Sequence, residues 1–155
     1  MNPVRWLAIR LGAQPWLPRY ARLIVGLDRT IQRLTRGRLT LLSLSGLPEL
    51  MLTVPGRKTG IARSTPLLCV PHHGSWLVAG SNWGQPKPPQ WVGNLDVAPV
   101  ATVSFRGRQT VVVPRRSEGA ERAELWRVML DTWPNYAKYA ERTGREIPVF
   151  VLTPR

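Results

Sequence analysis

The sequence has one cysteine, Cys69, two histidines, and nine acidic residues against 22 lysines and arginines. A single cysteine excludes an internal disulfide and fits a reducing compartment. His72 and His73 are adjacent, with no spaced cysteine, histidine or acid to complete a metal site. Cys69 follows an apolar run without a neighbouring base, which argues against a thiolate nucleophile. Neither a Gly-x-Ser-x-Gly elbow nor a pair of catalytic carboxylates is present. No uncharged stretch is long enough to cross a bilayer. Arg5 and Arg10 interrupt the apolar start, and no small-residue cleavage site follows. The expectation is a cytoplasmic protein, attached at most peripherally to the inner face of the cell membrane. If it is an enzyme, a cofactor brings the reactivity.

What the sequence has in excess is positive charge, +13 in 155 residues. Nucleic acid, anionic lipid and a polyanionic small molecule are the partners such a charge suits. Residues 1–45 hold eight arginines against one acid, Asp28, which is +7 and leaves +6 for the remainder. That remainder gathers around Arg57, Lys58, Arg63, Arg106, Arg108, Arg115 and Arg116. Cations divided between two regions, with no base-reading motif, predict no nucleic-acid partner.

The length fits a single folded domain. Within it we expect a basic amphipathic helical segment over residues 1–38 and a body over 39–155. Tyr20, Leu23, Ile24, Leu27, Ile31 and Leu34 recur at helical spacing between Leu17 and Thr35. Arg22, Arg29, Arg33 and Arg36 fall on the opposite face; Pro15 and Pro18 punctuate the entry, and Gly37 is the expected stop. Two readings fit: a helix docked on the core with its arginines in water, or an interfacial helix on anionic lipid aided by Trp6 and Trp16.

After Leu39 the period shortens. Leu50–Val54, Ser64–Val70, Trp76–Ser81, Ala101–Phe105, Gln109–Pro114 and Pro148–Leu152 read as strands separated by turn residues. Arg106-Gly107 is a tight hairpin signal. Helices are expected over Pro86–Asp96, after a Ser117 cap, and over Tyr136–Arg142. Hairpin-linked strands with helices between them argue for an α+β barrel.

Three segments carry candidate chemistry. Gly56-Arg57-Lys58-Thr59-Gly60 lies between two strands, followed by Arg63, Ser64 and Thr65. Its glycines permit close backbone approach, and its cations and hydroxyls suit an anion. A solvated basic hairpin loop is the competing reading. Ala79-Gly80-Ser81-Asn82-Trp83-Gly84 ends a strand in small residues, leaving room for a flat ligand walled by Trp83 or Trp91. The competing reading, favoured for any single tryptophan, is a strand-to-helix connection whose tryptophans are core. Tyr136 and Tyr139 are three apart, on one helical face. Their hydroxyls are either donors to a developing anion or satisfied core groups.

Together these segments resemble the deazaflavin-dependent nitroreductase family, the F420H2-dependent quinone reductases of actinobacteria. The resemblance rests on Thr53–Gly60 with Arg63–Leu67, on Ala79–Asn82 with Lys87, Pro89, Trp91, Asn94, Leu95 and Pro99, and on Trp133–Tyr136 with Tyr139, Thr143 and Arg145–Pro148. It covers roughly residues 48–154, and implies a split β-barrel related to flavin-binding pyridoxamine-phosphate-oxidase-like proteins. The implied cofactor is coenzyme F420 rather than FMN. Gly56, Arg57, Lys58, Thr59, Gly60, Arg63, Ser64 and Thr65 would hold its phosphate and acidic tail. Pro66 and Leu67 would approach the ring, with Asn82 and Trp91 also at the cofactor. Ser81, Tyr136 and Tyr139 would face a quinone, enone or nitro acceptor. The nitroreductase branch has a lysine where Asn82 stands, and bulkier residues where Val92-Gly93 follow Trp91, which opens the pocket. That branch also has a membrane-associated N-terminus, implying peripheral contact of residues 1–36 with anionic lipid. The assembly expected is a monomer or homodimer. The alternative is a non-catalytic binding protein for a deazaflavin, flavin or lipid-like ligand on the same barrel.

Overall fold

The computed structural model describes residues 3–36 and 39–155, so the expected stop at Gly37 lies outside the described residues. The N-terminal region is two helices, not one: α1 (Pro3–Gly12) and α2 (Ala21–Leu34). Between them Leu17–Tyr20 forms a single 3-10 turn with Pro18 in its first positions. The expected start at Leu17 therefore moves to Ala21: Tyr20, at φ −100° and ψ 11°, has left the helical region. A one-turn helix, α3 (Leu41–Leu44), was not expected. It is set by reciprocal Thr40–Ser43 capping, in which each residue's backbone N–H donates to the other's hydroxyl.

Seven antiparallel strands follow: β1 (Glu49–Pro55), β2 (Ala62–Leu68), β3 (Val70–His72), β4 (Ser75–Ala79), β5 (Ala101–Phe105), β6 (Arg108–Arg116) and β7 (Val149–Pro154). They form one sheet in the order β2-β1-β5-β6-β7-β4-β3. The expected run Ser64–Val70 is broken at Cys69, whose N–H leaves the ladder to donate to the Pro48 carbonyl at 3.0 Å. Arg106 and Gly107 both take positive φ, 51° and 79°, as a tight β5–β6 hairpin requires. The sheet curls until β2 approaches β4.

Three further helices cover it: α4 (Gln90–Val97), α5 (Gly119–Thr132) and α6 (Asn135–Thr143). The alternation of strands β4 and β7 divides the interior in two. Val78, Phe150 and Leu152 point into the curl, against Leu50, Leu52 and Trp91. Leu77, Ala79, Val149 and Val151 point to the other side, where Leu125, Met129 and Trp133 cover them. Ser117 does not cap α5. Its N–H and hydroxyl both donate to the Val149 carbonyl, and Glu118 takes the cap position.

Helix α2 is fastened by its one buried residue, Asp28. The Asp28 carboxylate accepts from the Leu41 N–H at 2.8 Å and from Gln32 at 2.7 Å. Nearby, burial pushes the Glu49 carboxyl up to about 7; a hydrogen bond from Thr40 opposes the shift and the Asp28 charge adds to it. Raised above its unfolded value, Glu49 holds a proton that the unfolded chain releases earlier. Its contribution is complete below the ordinary carboxyl value of about 4.5 and is lost as pH rises through about 7. Glu49→Gln, which keeps the neutral shape, is expected to flatten the fall in melting temperature across that window and to raise it by a few degrees at pH 8. Thermal melts of both proteins at several pH values decide it; parallel curves would show that Glu49 is not the group responsible.

Candidate cofactor cleft

The β1–β2 hairpin closes on a short loop whose backbone is tied internally. The Gly56 N–H donates to the Ile61 carbonyl at 2.8 Å, and the Gly60 N–H to the Gly56 carbonyl at 2.7 Å. Gly60 takes φ 70°, and the Thr59 hydroxyl accepts from the Ile61 N–H at 3.2 Å. The loop is thus shaped before any ligand arrives.

Arg57 is spent on that shaping. Its backbone N–H and guanidinium both donate to the Asn94 side-chain oxygen at 3.0 Å, and the guanidinium also reaches the carbonyl and side-chain oxygens of Gln90. These bonds clamp the loop to the first turns of α4. Gly93 makes room for the clamp: a Cβ there would lie 2.9 Å from Arg57 Nη1 and 3.0 Å from Cζ. The expectation that Gly93 opens the substrate pocket is corrected accordingly, because the guanidinium occupies that space.

Lys58 and Arg63 are different. Among the described residues neither has a hydrogen bond or an ion pair, and both line an open cleft of about 630 Å³. Gly56, Arg57, Thr59, Ser64, Thr65, Trp91, Gln90 and Asn94 line it too, as does Arg29 from α2. The Ser64 hydroxyl shares a 2.8 Å hydrogen bond with Thr53 across the hairpin. Trp91 satisfies both readings made of it: it borders the cleft and packs on Phe150 at 6.0 Å between ring centroids. Of the expected cofactor contacts the structure therefore gathers eight, Gly56 to Thr59, Arg63 to Thr65, and Trp91. Gln90 and Arg29 were missed. Gln90 had a legible signal, an amide four residues before Asn94 and so on the same helical face.

The other expected residues lie elsewhere. Gly60 shapes the turn without lining the cleft. Pro66 and Leu67 continue β2 beyond it, paired with Met51 and Leu50. Asn82 is a turn clasp, its amide donating to the Lys87 carbonyl at 2.8 Å. Asn82 and Trp83 both hold left-handed φ, 45° and 54°, tolerated by asparagine but uncommon for tryptophan. Trp83 packs on the second core. Ser81 is buried at the end of β4, where its carbonyl accepts from Arg145 at 3.0 Å.

Tyr136 and Tyr139 share a face of α6, rings edge to face at 6.2 Å, as their spacing requires. That face points into the second core beneath α1, and the residues are 4% and 2% exposed. The Tyr139 hydroxyl donates to the Gly12 carbonyl at 2.6 Å. The Asn135 amide and the Arg142 guanidinium donate likewise to the carbonyls of Ile9 and Ala13, so α6 satisfies the open C-terminal end of α1. Burial raises both phenols above their ordinary range. With α1 docked, the expected role of Ser81, Tyr136 and Tyr139 facing an acceptor is not what these contacts show. Tyr139→Phe is expected to cost about 1 kcal/mol of stability through the orphaned carbonyl, read as a drop in chemical-denaturation midpoint.

Residues 26–154 match the F420H(2)-dependent quinone reductase family. An F420H(2)-dependent quinone reductase of Mycobacterium tuberculosis (strain ATCC 25618 / H37Rv) is 30% identical over 158 residues, all of both chains. A second protein of that strain, named a putative F420H(2)-dependent quinone reductase, is 32% identical over 108 residues, 70% of this chain and 91% of its own. Among solved structures, an F420-H2 dependent reductase (FDR-A) superposes with a TM-score of 0.63 at 33% identity, covering 68% of this chain and 93% of its own. One described as a domain-swapped dimer gives 0.64, also at 33%, over 68% and 79% of the two chains. The haem storage protein HutZ of Vibrio cholerae, at 12% identity and a TM-score of 0.53, shares the fold alone, over 69% and 81% of the two chains. The curled sheet is a split β-barrel, and the chain belongs to the F420H(2)-dependent quinone reductase family.

Proposed function

We propose that the cleft beside Gly56–Gly60 holds the phosphate and acidic tail of reduced F420, and that the oxidoreductase passes its hydride to a quinone. The observation that carries this is a pair of cations, Lys58 on the internally hydrogen-bonded loop and Arg63 at the start of β2, left without partners among the described residues. Leaving cations unpaired beside a shaped backbone favours a bound polyanion over internal stability. When bound, the reduced deazaflavin supplies the hydride. Arg57 orients the loop through Asn94 and Gln90, Thr59 and Ser64 add hydroxyls, and Trp91 walls the cleft with an apolar face. Enone and nitro compounds, which can also accept a hydride, are secondary substrates under the same reading. Fluorescence titration with F420 and, separately, FMN tests the cofactor, with tighter binding of F420 expected. Equal or stronger binding of FMN would sink the assignment. Oxidation of reduced F420 by a soluble quinone analogue, absent without the enzyme, tests the acceptor.

A peripheral membrane role belongs to the same proposal. No helix of the described residues is long and apolar enough to cross a membrane. Ile24 and Ile31 of the apolar stripe of α2 are half-buried, but Leu23, Leu27 and Leu34 are 70%, 54% and 80% exposed. Trp6, Leu7, Leu11 and Trp16 are exposed as well. The expected alternative, α2 docked by this face on the core, does not match that exposure. An apolar stripe flanked by arginines suits an anionic lipid surface. Co-sedimentation with vesicles should be strong for anionic lipid and weak for neutral lipid; no difference between them would reject it.

A further inference from the structure

We infer that Arg29, carried by the N-terminal helix α2, is an additional binding residue for the cofactor's anionic end, so that α2 forms one wall of the cofactor site. This rests on the proposal that the cleft holds the phosphate and tail of F420. Arg29 lines the same cleft as Lys58, Arg63 and Ser64 although it comes from a different part of the chain. It is exposed, and among the described residues it has no ion pair or hydrogen bond. Its neighbour Asp28, the sole buried residue of α2, fixes the azimuth of the helix through the Leu41 N–H. With Asp28 pinned there, helical geometry turns Leu27 and Leu23 outward and Arg29, two residues from Leu27, to the opposite side. The other arginines of α2, Arg22 and Arg33, do not line the cleft. One cation has thus been selected from a basic face and aimed by a buried carboxylate.

The chemistry this adds is specific to a ligand with more than one negative group. Lys58 and Arg63 lie on the hairpin side, and Arg29 supplies charge from the helix side. A phosphodiester with an attached carboxylate tail can engage both sides at once; a neutral ring system gains nothing from Arg29. The exposure of Arg29 limits the contact to the modest strength of a solvated charge pair.

Four binding measurements by fluorescence titration test this: Arg29→Gln, Arg22→Gln and Lys58→Ala with F420, and Arg29→Gln with the deazaflavin riboside that lacks phosphate and tail. Arg29→Gln should weaken F420 binding about fivefold, while riboside binding stays at the parent level. Arg22→Gln, which removes the same charge from the same helix, should leave F420 binding unchanged. Equal losses in Arg22→Gln and Arg29→Gln would reduce the effect to net charge and overturn the assignment. Equal losses for F420 and riboside would make Arg29 structural and overturn it too. If Arg29→Gln is silent while Lys58→Ala weakens F420, only the Arg29 assignment falls; if both are silent, the cleft reading itself has failed.

Discussion

Replacing Lys58 and Arg63 together with alanine is expected to weaken F420 binding about thirtyfold while leaving the melting temperature nearly unchanged. The two halves of that expectation have one cause. Neither side chain has a partner among the described residues, so folding draws nothing from them. A charge-assisted contact contributes about 1.5 to 3 kcal/mol where water is excluded, and up to about 1 kcal/mol between exposed groups in an open cleft. Taking about 1 kcal/mol for each of these exposed contacts gives about 2 kcal/mol, roughly thirtyfold. The loss should shrink as salt rises, because screening weakens the parent more than the variant. Titration at low and physiological ionic strength measures both. A double variant that binds F420 as the parent does would place the anion elsewhere.

The second large effect is expected from a residue that touches no ligand. Gly93→Val puts a branched side chain where the Arg57 guanidinium lies, with a Cβ already 2.9 Å from Nη1. Arginine is flexible and exposed on one side, so it swings away and the helix does not have to deform. Its side-chain hydrogen bonds to Asn94 and Gln90 go with it, and only the Arg57 backbone N–H still ties the loop to α4. F420 affinity should fall about tenfold, the size of one charge-assisted network, with little change in melting temperature. The double variant Gly93→Val with Arg57→Ala separates this from a blocked cleft. If Gly93 acts only by making room for Arg57, the double variant binds no worse than Arg57→Ala alone. Additive losses would mean that valine obstructs the ligand directly.

Residue patterns along the chain made the barrel legible where period and turn chemistry agreed. The β5–β6 hairpin is the clearest case, because Arg106-Gly107 leaves few alternatives between two β-rich runs. The basic loop was legible for the same reason: two glycines around three polar residues between strands define both shape and charge. What pattern did not reveal was commitment. Arg57 and Lys58 are adjacent cations, yet one is spent on Asn94 and Gln90 and the other is free, a difference set by α4 across the cleft. Tyr136 and Tyr139 likewise occupy one helical face as spacing requires, but the segment that covers that face lies more than a hundred residues away. A serine hydroxyl before a helix has two outlets, and that of Ser117 goes to the Val149 carbonyl on β7 instead of capping α5. Long-range partners decide such cases, and local spacing carries no information about them.

The clasp between α1 and α6 also imposes an order on synthesis. Among the described elements α1 leaves the ribosome first, and the side chains that hold its carbonyls, Asn135, Tyr139 and Arg142, leave nearly last. At about 5 to 20 residues per second, the delay is on the order of ten seconds. Throughout that interval Ala8 and Ile9, which pack on the second core in the folded protein, have no docking surface on their own chain, and chaperones have their opportunity then.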